Sequence, residues 1–96
     1  VHLIQWDFLP VADRLPQFLA AYGSEGDWVR LFRRGQGYLG TELQAMPGLP
    51  GWYRCCDRWR HEEDYAAFRR DHAAEYQALD RACERLTRAE VPAYAD

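Results

Sequence analysis

Three side chains in the second half of the chain have the type and spacing to do chemistry. His72 stands on an apolar stripe between Phe68 and Tyr76, where an imidazole could serve as acid, base or hydrogen-bond donor to a ligand. The alternative is a core histidine bonded to a neighbour. Trp59 ends a β-type stretch and Tyr65 opens the inner stripe of the helix that follows. Both could line one end of a cleft between sheet and helices, with the indole N–H and phenol O–H facing a ligand. Buried Trp and Tyr also simply contribute apolar area, and the sequence leaves both readings open. On one continuous helix Tyr65 and His72 would lie two turns, about 10.5 Å, apart on nearly the same face. They could then hold opposite ends of a flat two- or three-ring ligand while Trp59 closes the strand side.

The wider inventory points to a pocket rather than to a named reaction. There is no P-loop, no nucleotide-type glycine fingerprint and no HExxH, and His2, His61 and His72 have no metal-ligand spacing to each other or to cysteine. No cofactor and no metal are expected. Gln5, Asp7, Tyr38 and Glu42 are further polar residues on strand-like stretches, expected mostly as interface or edge groups. Glu84 and Arg88, at helical spacing, fit a solvated face.

The elements that must position these residues follow from periodicity. Val1 to Phe8 alternates, with His2, Ile4, Trp6 and Phe8 on one side and Leu3, Gln5 and Asp7 on the other, and reads as a strand stopped by Pro10. A helix is expected from an N-cap at Asp13 to about Tyr22, with Gly23 as its stop. Asp27 is then expected to cap a short second helical segment in which Trp28, Leu31 and Phe32 share a face before Gly35 ends it. Gly37 to Met46 is expected as a second strand whose glycines suggest a bulge or close backbone approach. The segment Pro47 to Gly51 turns it into a third strand, Trp52 to Trp59, as an antiparallel hairpin. From Glu62 to about Leu86 apolar positions step by three or four, which predicts one long helix with Glu62, Glu63 and Asp64 in its first turn. Thr87 to Tyr94 is expected as an edge strand, limited by Pro92.

Composition bounds the class. The 96 residues are 48% hydrophobic and 15% aromatic with net charge -3, as expected of a single domain over 1–96. No apolar run approaches the roughly 20 residues of a membrane span and no signal-peptide pattern is read, so the expected compartment is the cytoplasm, with no membrane partner. All 12 basic residues are arginine, but 15 acidic residues outnumber them, so no nucleic-acid partner is expected. Cys55, Cys56 and Cys83 form neither a disulfide framework nor a zinc motif.

The order β-α-β-β-α-β, with a small extra helix after the first, is the split βαβ, ferredoxin-like arrangement, an α+β fold with two helices on one face of an antiparallel sheet. The third strand puts Tyr53, Cys55 and Trp59 on one face and Trp52 and Cys56 on the other. An aromatic second face is therefore expected, covered by another copy of the chain.

The pattern Trp6, Asp7, Phe8, Pro10, the stretch GDWVRLF followed by GYLGTEL, and the block DRWRHEEDYAAF together resemble the antibiotic biosynthesis monooxygenase (ABM) domain family over nearly the whole chain. The resemblance implies a dimeric α/β barrel built from two ferredoxin-like protomers, and hence a homodimer. It also implies membership of a group that includes cofactor-free quinone-forming monooxygenases, haem-degrading enzymes and others. In the oxygenases a Trp at the end of the third strand and a Tyr in the next helix are associated with the substrate pocket, and these fall on Trp59 and Tyr65. Haem degradation is disfavoured, because the chain has no Asn and has Phe68 where that branch has a Trp. The implied enzyme is a small cofactor-independent monooxygenase taking an electron-rich aromatic or quinone-type molecule. Tyr65, His72 and Trp59 would be its catalytic groups, with Trp28, Phe68 and Tyr76 binding the substrate. The alternative is a non-catalytic dimeric protein that binds a small molecule in the same pocket.

Overall fold

Alternation in the first residues produces β1, His2–Pro10, and the structure, a computed structural model, describes residues 1–93 of the chain. After a 3₁₀ turn at Ala12–Arg14 come α1, Leu15–Tyr22, with Pro16 in its first turn, and α2, Asp27–Phe32. The hairpin β2, Tyr38–Ala45, and β3, Tyr53–Trp59, leads into α3, Glu62–Asp71, and α4, Ala73–Cys83. A 3₁₀ turn at Glu84–Leu86 and the strand β4, Thr87–Ala93, complete the order. Tyr94, expected at the end of this strand, lies outside the described residues. The four strands are ordered β2-β3-β1-β4 with every neighbouring pair antiparallel, which is the ferredoxin-like topology. Among the described residues no helix is long and apolar enough to cross a membrane.

The core lies between the helices and one sheet face. Phe8 meets Phe18 and Tyr22 of α1 at ring separations of 5.7 and 4.6 Å. Trp59 packs against Phe32, Phe68 and Tyr38 at 5.9, 5.2 and 5.3 Å. Cross-strand partners share a face, so the registers Phe8↔Tyr53, Trp6↔Cys55 and Ile4↔Asp57 put the rings of β1 and β3 on the inner side.

Two expectations are corrected. The long helix is broken at His72, whose backbone (φ -120, ψ 30) leaves helical geometry between α3 and α4. Neither Gly nor Pro marks the break, so the periodicity runs through it. Its packing consequence is that Tyr76 sits edge-on against Trp28 at 5.0 Å while Phe68 stays on Trp59. The His72 amide still donates to the Phe68 carbonyl at 2.9 Å, so the break separates Tyr76 from the stripe of α3 rather than His72 from Tyr65. The open sheet face, in turn, is mixed rather than aromatic. It carries Leu3, Gln5, Asp7, Arg54, Cys56, Arg58, Glu42 and Val91, because the period-two alternation sends every strand ring from Trp6 to Trp59 inward and leaves Trp52 just before β3. Arg54 donates to both carboxylate oxygens of Asp7, at 2.8 and 3.0 Å.

Candidate functional site

A cavity of about 270 Å³ opens between the inner sheet face and the helices. Ile4, Trp6 and Phe8 of β1, Thr41 of β2, and Cys55 and Asp57 of β3 form its floor. Trp28 and Phe32 of α2, Tyr65 and Arg69 of α3, and Tyr76 and Asp80 of α4 wall it, while Tyr22 and Glu90 border the β4 side.

Asp57 is the electrostatic centre of this space. It is the buried charged residue of the core, 8% exposed. Thr41 Oγ1 donates to its Oδ1 at 2.7 Å and the Cys55 thiol approaches the same oxygen at 3.8 Å. Burial dominates over these two bonds and pushes the carboxyl up to about 6, because removing a charge from water disfavours the ionised form. The Cys55 thiol is pushed upward by burial and by the neighbouring Asp57, so it stays protonated and is not a nucleophile. In the helical wall Arg69 Nη1 donates to the Tyr65 hydroxyl at 3.1 Å, and the guanidinium stands 3.9 Å from the centroid of the Tyr76 ring, a cation–π contact. Burial raises the Tyr76 phenol as well, keeping it a neutral donor.

The residues singled out from sequence divide into two groups. Tyr65, Tyr76 and Trp28 line the cavity together. Trp59 and Phe68, at 0% and 2% exposure, form the packed layer behind it, with Phe32 standing between them and the open space. His72 flanks this layer, 5.3 Å from the Phe68 ring, with Nδ1 3.6 Å from Glu75. The indole N–H groups of Trp28 and Trp59 are buried without an acceptor. Asp57, Thr41 and Arg69 were not anticipated. A signal for Asp57 existed, since period two places it on the same strand face as Cys55 and Trp59. Among the described residues no group of three or more His, Cys, Asp or Glu side chains is arranged to hold a metal ion. The cavity offers instead a nearly buried carboxylate and a phenol–guanidinium pair in one lining, together with aromatic rings. That arrangement can accept a proton at one side of a flat molecule and hold negative charge at the other.

No family profile and no curated protein matches the sequence. Solved structures do share its architecture. A Nitrosomonas europaea protein described as a "putative antibiotic biosynthesis monooxygenase" superposes with a TM-score of 0.66 at 12% identity, covering 97% of this chain and 96% of its own. A Pseudomonas aeruginosa protein gives a TM-score of 0.59 at 15% identity, over 98% and 92% of the two chains. A conserved Bacteroides thetaiotaomicron protein, described as of unknown function and a "possible oxidoreductase", gives 0.56 at 15% identity, over 95% and 94%. What these likenesses establish is the architecture: the chain has the ferredoxin-like α+β fold that all three share over almost their full length.

Proposed function

We propose that the protein is a small monooxygenase-like enzyme that oxidises an electron-rich aromatic or quinone-type molecule in the cavity, without a metal or flavin. The observation that carries this reading is Asp57, a nearly enclosed carboxylate on the floor of a cavity lined by Trp6, Trp28, Phe32 and Tyr76. A carboxyl titrating at about 6 is mostly ionised at pH 7, yet basic enough to accept a proton. Asp57 would take a proton from an acidic ring CH₂ or phenol. The resulting anion, held by the Tyr65 hydroxyl and Arg69, would pass an electron to dioxygen and combine with it as a peroxide. Loss of water then leaves a carbonyl, so that R₂CH₂ and O₂ become R₂C=O and H₂O. Exclusion of bulk water by the aromatic walls strengthens each of these polar interactions. Trp59, Phe68 and His72 would support the wall from behind. The likeness in fold to a protein described as a monooxygenase is consistent with this chemistry.

The same reading places a second copy on the open sheet face, where Leu3 and Val91 are 41% and 47% exposed among paired charges. Light scattering should then give about twice the 11.3 kDa of one chain. Oxygen uptake by metal-free protein with phenol and anthrone-type substrates tests the chemistry, with one atom of labelled dioxygen expected in the carbonyl product. Binding of such compounds without oxygen uptake would make the protein a binding module instead.

A further inference from the structure

β2 slips by one residue where it runs along β3. Tyr38 pairs with Trp59, Gly40 with Arg58 and Thr41 with Asp57. In an unbroken strand, residues three apart point to opposite faces. The extra residue at Leu39, accommodated by Gly40 at φ 150, turns Tyr38 and Thr41 to the same inner face. Their hydroxyl oxygens lie 2.5 Å apart, and Thr41 donates to Asp57 Oδ1 at 2.7 Å. A hydroxyl carries one proton, so with that of Thr41 committed to the carboxylate, the Tyr38 O–H donates to Thr41. Without the slip Gly40 would face Asp57, and Thr41 would point to the open side of the sheet.

We propose that Thr41 and Tyr38 are positioning residues for Asp57: their hydroxyl chain, brought together by the bulge, holds Oδ1 as an acceptor and presents Oδ2 to the cavity as the proton-accepting atom. This rests on the reading of Asp57 as the base. Among the described residues no protein group donates to Oδ2, and that oxygen is not among the buried atoms left without a partner. The titratable and charged groups that share the cavity lining with Asp57 are Cys55 on its own strand, Tyr22 of α1, Tyr65 and Arg69 of α3, Tyr76 and Asp80 of α4, and Glu90 of β4, and of these only the Cys55 thiol reaches its carboxylate. Arg69 is turned to Tyr65 and Tyr76, and among the described residues no guanidinium bonds to Asp57. The Thr41 hydroxyl bond opposes the effect of burial on its carboxyl, with a further contribution from the Cys55 thiol.

Titration of the Asp57 side-chain carboxyl by carbon NMR tests the proposal, with the signal assigned by its loss in Asp57→Asn. Thr41→Val keeps the shape and removes the donor. It should raise the midpoint by about one unit, the scale of a lost hydrogen bond to a carboxylate. Thr41→Ser should restore the wild-type midpoint, and Tyr38→Phe should raise it by less. The lower limb of the pH–rate profile should move with the midpoint. A midpoint unchanged in both Thr41→Val and Tyr38→Phe would overturn the proposal, even if both variants lose thermal stability. Should Thr41→Val fail to fold, Tyr38→Phe decides alone. Absence of oxygen uptake in the wild type would defeat only the reading of Asp57 as a base, because the titration does not depend on turnover.

Discussion

Asp7 and Asp57 stand on neighbouring strands of one sheet, on opposite faces, and the fold treats them in opposite ways. On the open face Asp7 receives two hydrogen bonds from Arg54, which hold its carboxyl below the usual carboxylate range. On the inner face Asp57 is given hydroxyl and thiol partners and no guanidinium, and burial raises it to about 6. The difference teaches where to look for reactivity in a small fold that lacks a recognisable motif. An acid beside a cation is satisfied and inert as a base near neutral pH, whereas a buried acid held only by neutral donors can take a proton.

The sharpest way to break this contrast is to neutralise each acid in turn. Asp57→Asn should lower kcat by about 10²-fold or more, the usual loss on removing a general base. Asp7→Asn should leave the rate of oxygen uptake within about twofold, since the group has no place in the proton transfer. Equal losses in the two variants would remove the distinction.

A second comparison, of cavity wall against packed layer, involves smaller changes. Tyr65→Phe should weaken turnover by about tenfold, at a stability cost of about 1 kcal/mol or less, since volume is kept and one exposed hydrogen bond is lost. His72→Gln should leave turnover and ligand affinity near wild type, because the imidazole does not line the cavity. Steady-state kinetics and thermal melts on the pair distinguish the two positions.

The pH dependence sharpens the contrast further. With Asp57 as base, kcat/KM should fall as pH drops through about 6, one decade per unit, and Asp57→Asn should abolish that limb. Stability should run the other way. The folded carboxyl titrates above its ordinary 3.8, so the unfolded chain releases this proton first, and Asp57 lowers stability as pH rises from about 4 to above 6. Asp57→Asn should therefore be more stable than wild type at pH 8 by about 1 to 3 kcal/mol and show little gain at pH 3.5, measured by urea unfolding. Asp7 has the opposite sign. Its lowered carboxyl contributes stability above the ordinary value of 3.8, lost only as pH falls through its depressed folded value. Asp7→Asn should thus lower the melting temperature slightly at pH 7, the smallest of these effects, given how exposed Arg54 is.

Much of the arrangement was legible in particular residues. The alternation from His2 to Phe8 marked the inner face of β1, and the steps from Tyr65 through Phe68 to Tyr76 marked the helix stripe that covers it. Of the six residues whose type and spacing suggest a pocket, Trp28, Tyr65 and Tyr76 line the cavity, whereas Trp59, Phe68 and His72 do not. Asp57 escaped notice because the stretch from Arg54 to Arg60 is rich in charge, and an aspartate between arginines looks like one more solvated group. Its alternation with Cys55 and Trp59 pointed inward, but alternation alone does not say how deeply a side chain is buried.

Local sequence determined the element types, their order and hence the ferredoxin-like topology, because hydrophobic periods of two and near 3.6 are written residue by residue. It also carried the hint of a bulge in Gly37 just before β2 and Gly40 within it. Only the tertiary structure decided which hydroxyl meets which acid. Thr41 comes to Asp57 through a one-residue slip between paired strands, and the break at His72 turns Tyr76 onto Trp28. Both depend on contacts between residues distant in the chain, whose geometry no local period encodes. The elevated carboxyl of Asp57 has the same origin, since its cause is the exclusion of water by α2, α3 and α4 closing over the sheet.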